Sequence, residues 1–156
     1  MIYVFDTSSF IVLGHYFPDR FPSFWTGFNE MVASSRVISV KEVRNELDVE
    51  VNKQHLSDWI KSNGHVFLKA TPEETAFVAE IFAIPHFLQL VRRKSIVQGK
   101  PVADPFVIAA AKLRNACVVT EETKTKNAAK IPNICEHFGV SCTNLDGFMS
   151  MEGWKF

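Results

Sequence analysis

Short apolar runs that alternate with helical patterns are the feature that most restricts the fold of this chain. The first run, MIYVF, opens the chain and ends at Asp6, and it predicts a strand covered on both faces, as in the centre of a parallel sheet. Further strands are predicted at residues 36–39, 66–68, 117–120 and 140–143. Strands joined through helices pair in parallel and carry helices on both faces. The sequence therefore predicts an α/β fold with a mostly parallel sheet between two helical layers.

Local capping signals predict where some of the helices begin. Ser39 and Glu42 fit an S-x-x-E capping box, which predicts a helix of about twenty residues that ends near Gly64. Thr71, followed by proline, predicts a capped start for a later helix. Residues 146–147, Asp-Gly, predict a turn near the end of the chain.

Length and composition indicate one globular domain over residues 1–156. The 17 basic and 17 acidic residues give a formal charge of zero, so net charge does not attract the chain to nucleic acid. No stretch reaches the roughly 20 apolar residues that cross a bilayer, and Asp6 interrupts the first apolar run before it can form a signal core. A soluble, cytoplasmic protein is expected. The three cysteines lack CxxC spacing, so neither a zinc cluster nor a disulfide framework is indicated.

Acidic residues stand at three of the predicted strand-to-helix junctions. Asp6 ends the first strand, Asp104 opens an alanine-rich helix, and Glu121 and Glu122 follow the strand CVVT. Because the carboxyl ends of parallel strands meet at one edge of a sheet, these side chains are expected to converge there. A further acid, Glu46, lies in the helix after the second strand.

Helical spacing favours Glu46 over its acidic neighbours as the member of this set. Glu46 lies at the border of the helix's apolar stripe, whereas Glu42 lies farther round the helix and is already engaged in the predicted capping box. Glu50 lies nearer the stripe but a turn farther from the sheet edge.

Each acid also has a purely structural interpretation. Asp6 and Asp104 would cap the helices that follow them, Glu46 would be a solvated surface charge, and Glu121 and Glu122 would belong to a polar loop. Crowding four carboxylates on one edge is repulsive unless a cation or shared protons offset it. Hard oxygen ligands without nearby histidine or cysteine suit Mg²⁺ or Mn²⁺, which activate water for attack on a phosphodiester.

With these positions identified, the sequence resembles the PIN-domain family of metal-dependent nucleases, which includes the VapC-type toxins of bacterial toxin–antitoxin pairs. Four blocks carry the resemblance, in the family's order: FDTSS at residues 5–9, VRNEL at 43–47, ADPFVIAAA at 103–111 and VVTEE at 118–122. It implies a PIN-like three-layer α/β/α fold and endonucleolytic hydrolysis of RNA, in which metal-activated water attacks phosphorus and the 3′-oxygen leaves.

The resemblance also implies roles for individual residues. Asp6, Glu46 and Asp104 would bind the metal ion, with Glu121 or Glu122 as the fourth acid. Many relatives read threonine, any residue, then aspartate at the fourth block, which selects Glu122, although glutamate replaces aspartate here. The supporting hydroxyls would be Thr7, Ser8 and Thr120. The implied partners are an RNA substrate, a small antitoxin protein and a second copy of the chain, for which residues 81–90 would supply either a dimer surface or core.

An electrically neutral chain still needs local cations to hold RNA. Lys124, Lys126 and Lys130 follow the fourth acid and would contact phosphates, as would Arg92, Arg93 and Lys94 from another side. The alternative interpretation of both clusters is an ordinary solvated surface with no role in binding RNA. Bases would stack on Phe17, Phe21 or Trp25, although core packing is the simpler role for these rings.

Three other functions remain open at this point. A PIN nuclease would act on DNA or in RNA processing instead. Asp6 followed by Thr7 would also suit a phosphoaspartate phosphatase or receiver. Such proteins generally have a second acidic residue close to the first in sequence and a lysine at the end of a later strand. A binding module with an inactive site would show a partner complex without metal-dependent turnover.

Overall fold

The computed structural model describes residues 1–89, 91, 99 and 101–156. The strands are β1 (Tyr3–Phe5), β2 (Val37–Val40), β3 (Phe67–Leu68), β4 (Cys117–Val119) and β5 (Ser141–Thr143). The helices with described bounds are α1 (Thr7–Leu13), α2 (Pro22–Ala33), α3 (Lys41–Glu50), α4 (Gln54–Ser62), α5 (Pro72–Phe82), α6 (Asp104–Arg114), α7 (Ile131–Phe138) and α8 (Leu145–Met151). A short 3₁₀ turn, Gly64–Val66, precedes β3.

The five strands form one sheet in the order β3-β2-β1-β4-β5, and each neighbouring pair is parallel. Val4 faces Ile38 on one side and Val118 on the other, which places β1 at the centre. Every residue of β1 is buried, as a strand with neighbours on both edges and helices on both faces requires. The predicted α/β fold with a mostly parallel sheet is confirmed.

Helices cover both faces of the sheet. On one face α6 packs on β1, β2 and β4, and its buried alanines 109–111 allow the helix to approach the strands closely. The α5 and α7 helices pack against α6. On the other face Phe5 contacts Phe10 of α1, Phe28 of α2 and Phe148 of α8. The protein is therefore a three-layer α/β/α structure.

The end of β2 differs from the predicted capping box. The α3 helix has Val40 as its N-cap residue, without a side-chain hydrogen bond, because Val40 completes the extended strand. Ser39 is fully buried, and its Oγ donates to the carbonyl oxygen of Phe5 at 2.6 Å. A bond between neighbouring strands thus replaces the predicted local bond to the start of the helix.

Two further expectations about helices are wrong. The predicted helix of about twenty residues is divided into α3 and α4, because Val51 takes an extended conformation with φ −72° and ψ 124°. The predicted terminal turn at residues 146–147 lies inside α8, where Asn144 Oδ1 accepts from the amide of Gly147. The cap expected at Thr71 is confirmed, since its hydroxyl accepts from the amide of Glu74 at 3.1 Å.

The segment at residues 81–90 divides between core and surface. Ile81 and Phe87 are buried in the core, while Ala83, Pro85 and His86 are exposed. Its last residue, Leu90, lies outside the described residues. Among the described residues, no helix combines the length and apolar character needed to cross a membrane.

Candidate active site

The strand order creates a crevice at the carboxyl ends of β1 and β4. From β1 the chain proceeds outward through β2 and β3, and β4 then returns to the opposite side of β1. In open parallel sheets this reversal point separates the loops that follow the two strands and leaves a ligand-binding crevice. Asp6 directly follows β1, and Thr120 directly follows β4.

The Asp6 carboxylate is held by three neighbours that donate hydrogen bonds. Thr120 Oγ1 donates to Oδ2 at 2.5 Å, Ser8 Oγ lies 2.9 Å from each oxygen, and the amide of Ser9 donates to Oδ1 at 2.8 Å. The bond from the amide of Ser9 makes Asp6 the N-cap of α1, which confirms the predicted capping role of this residue. Ser9 Oγ also donates to the carbonyl oxygen of Asp6 at 2.9 Å.

Burial dominates the ionisation of Asp6. Its side chain is 4% exposed, and burial raises its pKa above the ordinary aspartate value, opposed by the hydrogen bonds from Thr120, Ser9 and Ser8. A charged carboxylate in this position lacks a neutralising partner among those donors, which are all uncharged. A cation at this edge would favour the ionised form.

Glu46 connects two other parts of the same edge. Its Oε1 accepts from Thr7 Oγ1 at 2.6 Å, and its Oε2 accepts from the amide of Ala103 at 3.3 Å. The first contact places Glu46 beside the residue after Asp6, and the second places it beside the residue before Asp104. Residues from the first, second and third acidic blocks are therefore adjacent in space.

Glu42, another acid of α3, lies in different surroundings from Glu46. Glu42 Oε2 is buried and lacks a hydrogen-bond partner within the described part of the chain. Burial raises the pKa of Glu42, and the nearby charge of Glu74 raises it further. The hydrogen bonds that Glu46 accepts from Thr7 and Ala103 thus have no counterpart at this oxygen of Glu42.

Asp104 is the first residue of α6 rather than its cap. The N-cap position belongs to Ala103, and Pro105 follows Asp104 within the first turn. A carboxylate in the first turn of a helix interacts favourably with the positive end of the helix dipole. Asp104 thus lies at the start of α6, directly after Ala103, whose amide donates to Glu46.

Glu121 and Glu122 bind the amino ends of two different helices. Glu121 Oε1 accepts from the amide of Leu145, the first residue of α8, at 2.7 Å. Glu122 Oε2 accepts from the amide of Ile131, the first residue of α7, at 2.9 Å. The backbone of both is tied to the site, because Glu121 N donates to Ser8 Oγ at 2.9 Å and Glu122 N donates to Thr120 Oγ1 at 3.1 Å.

A cleft of about 500 Å³ opens beside Thr120 and Glu122. Its walls also include Cys142, Asn144 and the Lys124–Glu136 ion pair. The hydrogen bond between the Cys135 and Cys142 thiols lowers the pKa of Cys142, while burial and the charges of Asp6 and Glu122 oppose that effect. The cleft thus extends from Thr120 and Glu122 to Lys124, one of the predicted phosphate contacts.

The predicted cations differ in their accessibility. Lys124 and Lys126 are exposed and Lys130 is half-buried, while Arg92, Arg93 and Lys94 lie outside the described residues. Of the aromatic residues considered for base stacking, Trp25 is 6% exposed and belongs to the core, whereas Phe17 is 45% and Phe21 is 39% exposed. Core packing therefore explains the position of Trp25, whereas Phe17 and Phe21 are both exposed at the surface.

The donor chemistry of this edge fits a hard divalent ion. Asp6, Glu46 and Asp104 offer carboxylate oxygens from three chain segments that the Thr7 and Ala103 contacts bring together. Across the part of the chain that the structure describes, however, no group of three or more His, Cys, Asp or Glu side chains is already gathered closely enough to hold a metal ion. Hydroxyls and backbone amides are the hydrogen-bond partners of the Asp6 and Glu46 carboxylates.

Ser9 and Ser39 belong to this region, although the sequence did not predict a role for either at the site. Both are fully buried, and each hydroxyl donates to a backbone carbonyl at the end of β1, that of Asp6 or that of Phe5. The hydroxyl run after the first strand was a signal for Ser9. The bond of Ser39 depends on the pairing of β1 with β2, which no local pattern records.

The parallel five-stranded sheet between two helical layers is a PIN-like three-layer α/β/α fold. A chain of VapBC2 from Rickettsia felis, solved bound to a DNA fragment from their promoter, is similar to this structure, with a TM-score of 0.51 and 16% identity over 94% of this chain and 100% of that chain. PAE2754 from Pyrobaculum aerophilum is matched with a TM-score of 0.43 and 13% identity over 89% of this chain and 97% of that chain.

The sequence comparisons give the family. The chain belongs to DUF4411, a domain of unknown function, whose model matches residues 3–156. A comparison with curated proteins finds no match.

Proposed function

We propose that this protein is an Mg²⁺- or Mn²⁺-dependent endoribonuclease. The observation that carries the proposal is the position of Glu46, whose carboxylate accepts from Thr7 beside Asp6 and from Ala103 beside Asp104. These contacts support the placement of three acids that are distant in sequence at the edge where β1 and β4 form a crevice. The likeness to VapBC2 supports the PIN-like fold on which this function rests.

Asp6, Glu46 and Asp104 would hold the metal ion, and Glu122 would be the fourth acid. When bound, such an ion supplies activation of water and stabilisation of charge on the phosphodiester. Thr120 and Ser8 fix the orientation of the Asp6 carboxylate through their hydroxyl groups. Water attacks phosphorus, the bond to the 3′-oxygen breaks, and that oxygen leaves with a proton, which yields a 3′-hydroxyl and a 5′-phosphate.

Glu122 has a second task in this proposal. Its Oε2 accepts from the start of α7, so the fourth acid also positions the helix that forms one wall of the adjoining cleft. The longer arm of glutamate, relative to the aspartate of many PIN domains, allows contact with that helix. Glu121 is placed differently, because its carboxylate binds the start of α8.

The toxin of a toxin–antitoxin pair is the proposed biological role, with a small antitoxin protein as partner. The similarity to VapBC2 and the four PIN-like sequence blocks support this role. Co-purification with the product of the adjacent reading frame, and loss of RNA cleavage in that complex, would support an antitoxin partner. Light scattering of the purified chain tests the proposed homodimer.

Cleavage of single-stranded RNA with and without EDTA tests the enzymatic proposal. The wild-type protein should cut RNA in Mg²⁺ or Mn²⁺ and stop when EDTA is added, and Asp6→Asn should be inactive. Cleavage that continues in EDTA, or in Asp6→Asn, contradicts it. A parallel digestion of DNA distinguishes the ribonuclease from a DNA nuclease.

The phosphoaspartate alternative has less support from the geometry. Asp6 is nearly buried, and both of its oxygens already accept hydrogen bonds. A phosphorylated aspartate needs an accessible oxygen. A beryllofluoride adduct on Asp6 in the presence of Mg²⁺ would favour that alternative.

A further inference from the structure

A second cleft, of about 630 Å³, adjoins the one beside Thr120 and Glu122. Lys124 and Glu136 line both clefts and form an ion pair with each other. Their ion pair therefore stands between the candidate active site and the second cleft. The walls of the second cleft are otherwise formed by His86, Phe87, Asn127, Ala128, Asn133 and His137.

The second cleft carries an aromatic surface. Phe87 is buried at its base, and its ring lies 5.7 Å from that of His86 and 5.5 Å from that of His137, measured between centroids. Both histidines are exposed. Exposed imidazole rings beside a phenylalanine offer faces on which an unpaired nucleobase stacks, a mode of binding that proteins use for single-stranded RNA.

Asn133 adds a hydrogen-bond acceptor whose orientation is defined. Its Nδ2 donates to the carbonyl oxygen of Thr125 at 2.7 Å, so the amide cannot be reversed without placing two oxygens together. Its Oδ1 is buried and has no hydrogen-bond partner among the described residues. Because Asn133 lines the second cleft, a small movement of its side chain would present this unpartnered acceptor to an N–H donor, such as those on the edge of a base.

The charge of Lys124 is occupied by Glu136 in this structure. The two side chains are 56% and 63% exposed, so their ion pair is well hydrated and easily exchanged for another anion. A phosphate arriving at Lys124 would compete with the Glu136 carboxylate. Glu136 would therefore weaken the binding of a phosphate at Lys124.

We propose that this second cleft is a subsite for one unpaired nucleotide of single-stranded RNA. The base stacks against His86 and His137 and donates to Asn133 Oδ1, while its phosphate replaces Glu136 at Lys124. The proposal rests on the proposed ribonuclease function, since the strand continues past Thr120 and Glu122 to the acidic edge. It assigns Lys124 a specific contact and leaves Lys126 and Lys130 as general cations.

Binding of a fluorescein-labelled single-stranded RNA in EDTA tests the subsite without cleavage. Glu136→Gln should tighten binding by about two- to five-fold, because it frees Lys124, and Lys124→Met should weaken it by a similar factor. In the Lys124→Met background Glu136→Gln should have no effect beyond that of Glu30→Gln, an exposed charge-matched control on α2. Equal effects of Glu136→Gln and Glu30→Gln would overturn the proposal.

Asn133→Asp tests the contact with the base. The new charge at the cleft wall should weaken binding of single-stranded RNA, and it should affect a duplex of the same sequence less because paired bases do not enter the cleft. An equal loss for single strand and duplex would overturn the contact with the base. Thermal unfolding of each variant gives a direct check that the fold is retained.

Two results separate the subsite from the proposed function. If the wild-type protein cleaves RNA in a metal-dependent way but the cleft variants bind like wild type, the subsite is wrong and the ribonuclease stands. If the variants respond as expected but no metal-dependent cleavage occurs, the RNA subsite stands and the ribonuclease is wrong.

Discussion

Thr120 Oγ1 donates a hydrogen bond of 2.5 Å to Asp6 Oδ2, which joins two residues that are 114 positions apart. The pairing of β1 with β4 makes this contact, because Phe5 lies opposite Val119 and each strand ends there. Both side chains are buried, at 4% and 1% exposure. The pairing of the two central strands therefore fixes the position of Asp6, the first acidic residue of the candidate site.

The Asp6→Asn substitution should have opposite effects on activity and stability. Loss of a metal-binding carboxylate should reduce RNA cleavage by at least about 100-fold, since even outer partners of metal ligands are worth 10- to 100-fold. In EDTA the same substitution should raise the melting temperature, because it removes a buried charge and keeps the acceptor for the amide of Ser9. Calorimetry and a cleavage assay on the same samples check both signs. A variant that loses stability and activity together would indicate a structural role alone.

The burial of Asp6 also predicts a pH dependence of stability in the metal-free protein. Because the folded protein raises the pKa of Asp6, its contribution is fully present below the ordinary carboxyl pKa of about 4 and is lost as pH rises through the folded value. The free energy of unfolding of wild type relative to Asp6→Asn should therefore fall as pH increases from about 4. Urea unfolding in EDTA across this range measures it, and a constant difference would contradict the expected direction.

Glu46 and Glu42 provide a matched pair on one helix. Glu46→Gln should abolish metal-dependent cleavage, because this carboxylate lies beside Thr7 and Ala103. Glu42→Gln should retain cleavage and should stabilise the protein near neutral pH, because burial raises the pKa of that group and its Oε2 has no partner among the described residues. Cleavage rates and melting temperatures of the two variants test this assignment. Inactivity of Glu42→Gln with full activity of Glu46→Gln would reverse it.

The two glutamates after β4 should be distinguishable by comparing activity with stability. Each accepts from the first amide of a helix, so replacing either by alanine should lower the free energy of unfolding by about 1 kcal/mol. Glu122→Gln should also reduce metal-dependent cleavage, because Glu122 lines the cleft beside Thr120. Glu121→Gln serves as its control and should leave cleavage near the wild-type rate. If only Glu121→Gln loses activity, Glu121 is the fourth acid.

The sequence predicted the sheet well because its strands are recognisable locally. An apolar run such as Tyr3–Phe5 is buried on both faces, and a parallel sheet between helices follows from the alternation with helical patterns. The sequence likewise predicts that Asp6 meets Glu121 and Glu122, since β1 and β4 are parallel and end at one edge, whereas no strand directly precedes Asp104 among the described residues. These are properties of periodicity and order along the chain.

Hydrogen bonds between residues that are distant in sequence could not be predicted from local patterns. The capping box at Ser39 failed because its hydroxyl binds the carbonyl of Phe5 on the neighbouring strand. The directions of Glu121 and Glu122 depend on the amino ends of α8 and α7, which arrive from later in the chain. Local patterns identified these acids but not the donors that orient them.

Anomalous diffraction from a crystal grown with Mn²⁺ tests the central proposal most directly. The expected result is a manganese peak at the edge where β1 and β4 end, within ligand distance of carboxylate oxygens from Asp6, Glu46 and Asp104. The Asp6→Asn crystal should lose that peak. A peak bound by other residues, or none at this edge in saturating Mn²⁺, would contradict the metal-dependent mechanism.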